Sequence, residues 1–485
     1  MWLGRQSSDL NAIRRVSSTI LETIKEGIIM VDYDVIIAGA GTGGSTTAYT
    51  LAKRGHSVLL LDRKDRDNIG NKTCGDALGS HHIIELRELV GIPELPKGIV
   101  EYEVNGIDLI APDRDHRLRM EGPTTTGMSF NRLKMGQWFV GLAESAGAEV
   151  LAMTRAKKLL FDDGKVSGVK ISTENGPERD LTARIIVDAT GATGVLRMQL
   201  PESSPVERQI SSEDRMVAWR DIYETPDFEF ETPDYLEIFW NQEETLGGYT
   251  WVFPQGKHRV NVGNGVMTID GHRNPKDIQY DFVKKTWIDT WGEIKVLDSS
   301  GGVAPIRRPI DTMVDNNFML VGDAACQVNP IHGGGIGSSM LGGAHAGITA
   351  AEALERNDTS MESLWSYNPR YHKSYGMKQA ALDVFRWFLL NVTNEDIDFA
   401  FKKQVIKASD LLDTSMTGEV TFGAGEKFKR LVAGFGRIPL LLRISKVANL
   451  MNDIRAVYRE YPDSPKGLKA WKARLEPIYA AAKQA

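Results

Sequence analysis

Cysteine is scarce: Cys74 and Cys326 are the only two in 485 residues. Two thiols can build neither a disulfide framework nor a zinc cluster, which points to a reducing cytosol and to a protein without a metal. Long apolar runs are also missing, so no segment is expected to span a bilayer, and any lipid handled by the protein must be met in solution or at the cytoplasmic membrane surface. Positive charge is not in excess, since 58 Lys and Arg face 64 Asp and Glu, a net charge of −6. That balance argues against nucleic acid as the main partner, while local basic patches remain open. A secretory pattern is absent as well. Arg14, Arg15, Glu22, Lys25 and Glu26 interrupt Ile13–Ile28, so residues 1–29 read as an N-terminal extension, either a short amphipathic helix packed on the domain or a segment upstream of a functional start at Met30.

What is present is an ordinary globular composition, 42% hydrophobic and 25% charged, long enough for two or three domains. The most informative stretch runs from Val35 to Asp62. Val35–Ala38 is a strand-like apolar run, Gly39, Gly41 and Gly44 follow in G-x-G-x-x-G spacing, and Ser45–Arg54 has helical periodicity. Ser57–Leu61 is a second strand, closed by Asp62. In such a unit Gly39 makes the tight turn, Gly41 lets a pyrophosphate approach the backbone, and Gly44 lets helix and strand pack. The helix N-terminus offers free N–H groups to phosphate. Asp62 stands where a carboxylate accepts hydrogen bonds from a ribose diol. A dinucleotide site is expected here.

Further along, Lys72–Gly79 is a loop of small residues around Cys74, with Gly75 and Gly79 allowing a flat ligand to approach the backbone. Residues 81–130 read as short strands with a Pro-rich connection. A helix is expected over Gly136–Ala146, and Arg132 near its start, where a cation gains nothing from the dipole, is expected to point at an anion. Ala148–Ala152, Ala156–Phe161, Val166–Ile171 and Ala183–Val187 read as strands, with a hairpin turn at Asp163-Gly164. The last of them runs into Asp188-Ala189-Thr190-Gly191, as a return to the nucleotide sheet would. Residues 201–300 are rich in aromatics that alternate with polar residues, the period of an antiparallel sheet with one aromatic face.

A second informative stretch is Phe318–Ala325, a buried strand ending in Gly322-Asp323, followed by Pro330–Gly337 and a helix to about Leu354. Asp323 can reach a ribityl hydroxyl. The bare helix N-terminus after the glycines would stabilise negative charge on the pyrimidine side of a reduced flavin. Residues 355–485 read as helical. Within them Lys427–Lys446 is basic and apolar, a candidate membrane-surface patch. Gly423-Ala424-Gly425 lacks a preceding strand and marks no second dinucleotide site.

The ordered set G-A-G-T-G-G, Asp62, Arg132, D-A-T-G and G-D-A-A, over roughly the first 350 residues, resembles the flavoprotein family that includes p-hydroxybenzoate hydroxylase. Within it, Cys74-Gly75-Asp76 and Tyr249-Thr250-Trp251-Val252-Phe253-Pro254 resemble the geranylgeranyl reductases, in particular the archaeal enzymes that saturate the isoprenoid chains of ether lipids. Gln255 departs from the lysine that ends the family's aromatic signature. The resemblance implies an α/β Rossmann-like FAD-binding domain in three segments, 30–110, 131–200 and 301–354. It further implies an inserted antiparallel-sheet substrate domain from 111–130 and 201–300, and a C-terminal helical domain over 355–485. It implies FAD contacts at Gly44, Asp62, Cys74, Gly75, Ala77, Arg132, Ala156, Asp323, Gly335 and Ile336, besides Gly39 and Gly41 of the phosphate turn. No His or Tyr marks a covalent attachment point, so the FAD is expected to be non-covalent.

The implied substrate is a prenylated lipid, with Tyr249, Trp251 and Phe253 along its tunnel. An isolated alkene has no carbonyl to polarise it, so hydride from the flavin must be matched by a proton, for which Cys74 is the first candidate and Tyr249 the second. Electrons are expected from a ferredoxin-like protein or from NAD(P)H. The same fold also admits a flavin monooxygenase or a halogenase, whose Trp-x-Trp-x-Ile-Pro motif Tyr249–Pro254 partly imitates. A non-catalytic FAD- or lipid-binding protein is a further alternative.

Overall fold

The computed structural model describes residues 31–485 other than 123–124, 175, 287, 406, 412–417 and 419–435. The N-terminal extension, the Gly423-Ala424-Gly425 triplet and residues 427–435 of the basic patch lie outside the described residues. The first sheet starts from strand β1 (Tyr33–Ala38), which turns through Gly39 into helix α1 (Thr42–Ala52) and returns as β2 (Val58–Leu61). β1 is flanked in parallel by β2 and by β11 (Arg179–Asp188). β8 (Glu149–Leu151) extends the sheet beyond β2, and β18 (Phe318–Leu320) beyond β11, both in parallel. The short β17 (Val314–Asp315) closes the edge antiparallel to β18. Near-continuous Val, Ile and Leu in β1 and β2, all but the first residues of β1 fully buried, is what a parallel strand covered on both faces requires.

The register brings the carboxyl ends into line. Ala38 pairs with both Leu61 and Asp188, and Asp188 with Leu320, so Gly39, Asp62, Ala189 and Gly322-Asp323 all leave the sheet at one edge. That edge is where an open α/β sheet binds its ligand. β11 is long enough to serve twice: its first half pairs antiparallel with β10 (Lys165–Thr173), which hairpins back to β9 (Thr154–Asp162). Asp163 and Gly164, both at positive φ, make the expected turn.

The second sheet has seven strands in the order β16 (Lys295–Pro305), β12 (Arg215–Glu224), β15 (Arg259–Met267), β14 (Tyr249–Pro254), β13 (Tyr235–Phe239), β5 (Gly106–Ile110) and β6 (Arg117–Glu121). It is antiparallel except where β13 runs parallel to β5. Three sequence expectations shift here. β5 hydrogen-bonds in this sheet and not with the nucleotide-binding segment 30–110, β16 carries the sheet past residue 300, and residues 201–300 include a helix, Pro275–Thr286. A third, small sheet of β3 (Ala77–Gly79), β7 (Gly127–Phe130) and β4 (Val100–Val104) bridges the two.

Helix α2 (Ser80–Val90), closed by the left-handed Gly91, occupies part of a stretch expected to hold strands. Helix α3 spans Arg132–Ser145 and starts four residues before the expected Gly136, because the Asn131 side chain accepts from the Lys134 N–H and caps it there. After β18 comes α5 (Ile336–Glu355), α4 being Pro275–Thr286, and the described remainder of the chain is helical. α1 and α5 pack with almost nothing between them. A Cβ on Gly343 would stand 2.3 Å from the Gly43 carbonyl oxygen, and one on Gly347 2.7 Å from Thr50. The contacts advance in the same order along both helices, so their N-termini lie at one end, above the carboxyl edge of the sheet.

Gly44 tests this frame. A Cβ there would sit 2.0 Å from the Gly39 carbonyl oxygen and 3.0 Å from Ala189 Cβ, and backbone cannot yield. Gly44→Ala is expected to cost about 3 kcal/mol in denaturant unfolding and to abolish FAD retention, read by the flavin absorbance of the purified protein.

Candidate active site

The turn after β1 matches the geometry that a pyrophosphate needs. Gly39 has φ 111, and a Cβ on it would collide with the Ala189 carbonyl oxygen at 2.3 Å, whereas a Cβ on Gly41 would meet nothing within 4 Å. The chain is thus tight against itself at Gly39 and Gly44 and open at Gly41. α1 has no side-chain cap and no acid in its first turn, leaving its N–H groups for an anion. Arg132, 7% exposed, donates from Nη2 to Thr42 Oγ1 at 3.3 Å, at the start of α1, while its buried Nε has no partner. An unpaired buried guanidinium nitrogen beside a bare helix N-terminus calls for an anionic ligand.

Asp62 closes β2 and accepts from the Ala40 and Lys64 N–H groups, both at 2.9 Å, which aims its carboxylate across the glycine turn. Its carbonyl accepts from Thr154, two residues before Ala156, so Ala156 lies in the neighbourhood of Asp62, on β9. The far end of the site is pinned by Asp188, of the D-A-T-G element, and by Arg197 and Gln327, which the sequence did not reveal. Fully buried Asp188 accepts from the N–H groups of Thr190, Leu196 and Arg197, and Arg197 donates to the Ala324 carbonyl at 2.6 Å, steadying the turn that carries Asp323. Gln327 accepts from the Gly322 N–H at 2.7 Å and donates to Tyr367 Oη. Gly335 N-caps α5 without a side chain, next to Ile336, and a Cβ on it would lie 3.4 Å from Asp323 Oδ1. Lys72, which carried no sequence signal, reaches Asp323 at 2.6 Å.

Between these two ends lies the Cys74 loop. It rests on β14, whose Tyr249, Trp251 and Phe253 share one face as alternation requires. A Cβ on Gly75 would stand 2.8 Å from the Phe253 ring and 3.6 Å from Trp251 Nε1. Ala77 packs on the same cluster, with Val104 and Leu236. Trp251 and Phe253 are buried in that cluster, and Tyr249 donates to the His332 carbonyl at 2.6 Å, joining β14 to the second glycine loop. A groove of about 870 Å³ on the outer side of the sheets is lined by acidic residues such as Glu103, Glu229 and Asp234, and by none of the three rings. The Cys74 thiol is pushed up to about 11 by burial and by the neighbouring Asp76, so it stays protonated through the neutral range. Burial, with Cys74 alongside, also raises Tyr249 well above its ordinary value. His332, in the glycine loop, is pushed down to about 4 by burial and by Lys378, and is neutral.

The unforeseen part of the site is polar. Asn261, on β15, accepts from Trp251 Nε1 at 2.9 Å and donates both to the Cys74 carbonyl at 2.9 Å and to Asp76 Oδ2 at 3.0 Å. The acid two positions after Cys74 was its only sequence trace. Gln255 reaches the same carboxylate oxygen at 3.5 Å. Among the described residues no His, Cys, Asp and Glu cluster could hold a metal ion, and neither cysteine is in a disulfide.

A bare helix end above a glycine turn, an acid at the end of the second strand and a second acid beside another bare helix end define a dinucleotide flavoprotein. The FAD binding domain family model accordingly matches residues 32–374. The chain is 37% identical to the digeranylgeranylglycerophospholipid reductase of Sulfolobus acidocaldarius over 448 residues, 92% of this chain and 97% of that protein. It belongs to the digeranylgeranylglycerophospholipid reductase family and is an FAD-dependent oxidoreductase. Among solved structures, a geranylgeranyl bacteriochlorophyll reductase-like protein from Thermoplasma acidophilum shares the fold with a TM-score of 0.70 at 23% identity, covering 86% of this chain and 99% of its own. A flavin-dependent brominase shares it at 0.64 and 18%, covering 84% of this chain and 100% of its own.

Arg132→Ala removes a charge-assisted contact worth ~1.5–3 kcal/mol, so FAD affinity is expected to fall about tenfold to a hundredfold in a fluorescence titration, with the circular dichroism spectrum unchanged.

Proposed function

We propose that the protein saturates isolated C=C bonds in the geranylgeranyl chains of archaeal ether-lipid precursors, with Cys74 as the proton donor. The observation that carries this is the seating of the Cys74-Gly75 loop on the Tyr249, Trp251 and Phe253 face, between the two glycine loops that frame FAD. Relatives named as reductases of such lipids support the substrate class. The residues that would hold FAD are Gly39, Gly41, Gly44, Asp62, Arg132 and Ala156 along the dinucleotide, Asp323 at the ribityl chain, and Cys74, Gly75, Ala77, Gly335 and Ile336 at the ring. When bound and reduced, FAD supplies an electron pair as hydride.

The chain's own task is to hold the alkene, exclude water and deliver one proton. Each methylene of a prenyl chain buried beside the aromatic cluster of β14 contributes about 0.8 kcal/mol. Of the two proton donors weighed, Tyr249 is already committed to the His332 carbonyl, whereas Cys74 keeps an S–H available. Reducing equivalents come from a ferredoxin-like protein or from NAD(P)H.

A peripheral membrane contact would bring the enzyme to its substrate. Ile438 and Leu442, one helical turn apart, are exposed at 47% and 67%, with Lys446 beside them, which supports such a contact. Arg437 and Arg443 do not contribute to it, because Arg437 pairs with Asp396 and Arg443 donates to the Ala485 and Asn391 carbonyls.

Reduced protein mixed anaerobically with a geranylgeranyl lipid is expected to regain its yellow colour as the alkene is consumed; reoxidation only on admitting oxygen would favour the oxygenase or halogenase chemistry of the same fold. Trp251→Ala is expected to raise KM for the geranylgeranyl lipid about tenfold more, ~1.4 kcal/mol, than for a geranyl analogue. Equal losses for the two lengths, or loss of FAD, would assign Trp251 to the fold alone.

No helix among the described residues is long and apolar enough to cross a membrane.

A further inference from the structure

Two residues beyond Cys74 the same loop buries an acid. Asp76 is 2% exposed and has φ 59, a left-handed backbone in which its N–H turns back to donate to Cys74 Sγ at 3.2 Å. The loop is fastened by Asn261, whose amide spans the Cys74 carbonyl and Asp76 Oδ2. Asp76 Oδ1 is buried and has no hydrogen-bond partner. Leaving a carboxylate oxygen dry and unpaired is costly, unless the group spends part of its time protonated.

The surroundings favour that protonation. Arg220 faces Asp76 from β12 and Arg132 from α3, and both favour the charged carboxylate; Arg220 also pairs with Asp298 at 2.7 Å and Arg132 also donates to Thr42. Glu101, on β4, opposes them, and the β14 and β15 neighbours Gln255 and Asn261 are uncharged. Burial outweighs the two guanidinia and pushes the Asp76 carboxyl up to about 6. The loop therefore joins a thiol that stays protonated to an acid that exchanges its proton near neutrality.

We propose that Asp76 is the proton store of the active site, returning to Cys74 the proton that Cys74 gives to the alkene. The idea rests on the reading of Cys74 as the donor. In each turnover the Cys74 S–H bond breaks and a C–H bond forms on the alkene carbon opposite the one that takes hydride. The thiolate left behind takes the proton from the Asp76 O–H, and Asp76 regains one from solvent. One hydride and one proton are added to the alkene. The electron pair comes from the reduced cofactor, and no protein group changes oxidation state. Asp76 is a positioning residue in this scheme, acting through Cys74.

The test uses Asp76→Asn, which keeps the side-chain shape and suits a left-handed backbone, and reads Cys74 by iodoacetamide labelling across pH. Buried Cys326 does not compete. In the wild type labelling is expected to follow the Cys74 ionisation, which burial pushes up to about 11. Removing the Asp76 charge is expected to lower that midpoint by about one unit, a tenfold faster reaction at a given lower pH. Turnover of the FAD-loaded wild type is expected to fall as pH rises through about 6, where the store empties. Asp76→Asn should lose that fall along with most activity, and Asp76→Glu should recover part of both. Gln255→Lys, placing an ammonium beside the carboxylate, should move the fall to lower pH. An unchanged labelling midpoint with activity lost equally at every pH would make Asp76 structural and overturn the proposal. Impaired Cys74→Ala beside an unimpaired Asp76→Asn overturns the store alone, whereas wild-type turnover by Cys74→Ala overturns the reading of Cys74 itself.

Discussion

The structure depends on the approach of α1 to α5 without side chains between them. Gly43 meets Ser339 and Gly343, Gly347 meets Thr50, and Thr47 Oγ1 donates to the Gly43 and Gly343 carbonyls at 2.9 and 3.1 Å. Any Cβ at Gly343 would push the helices apart. Because both helices start at the same end, this packing sets two bare N-termini side by side above the sheet. Two positive helix ends at a fixed spacing suit one extended anionic ligand.

Around that frame, the second sheet acts as the wall that holds the reactive loop. β14 presents its rings, β15 presents Asn261, and Gly263 opposite Trp251 leaves room for the indole, since a Cβ there would lie 2.2 Å from it. Gly75 does the same for Phe253 from the loop side. Shape and polarity are thereby coupled: the indole that forms the apolar face also fixes the amide that spans Cys74 and Asp76. A change on the apolar face reaches the Cys74–Asp76 loop through one hydrogen bond.

The shared fold of reductase-like and halogenating flavoproteins shows that the frame alone does not choose the chemistry. In this chain the loop Cys74–Asp76 lies against the aromatic strand β14. Here the Cys74 thiol is protonated, Tyr249 is tied to a backbone carbonyl and His332 is neutral. Such a setting suits addition of hydride and proton to an apolar double bond.

Local chemistry determined what the sequence by itself could say. The β1, α1, β2 and Asp62 unit, the Asp163-Gly164 hairpin and the α5 helix, expected to about Leu354 and ending at Glu355, all follow from glycine spacing and periodicity within some thirty residues. The start of α3 was misplaced by overlooking the Asn131 cap. Tertiary structure alone decided the rest. β5 leaves the nucleotide segment to pair with β13, Lys72 reaches Asp323 across 251 positions, and Asn261 reaches Asp76 across 185. An amide or an acid has no periodicity to betray its partner. Whether it is solvated or buried, paired or protonated is settled only when distant strands bring its neighbours within hydrogen-bonding distance and exclude the water.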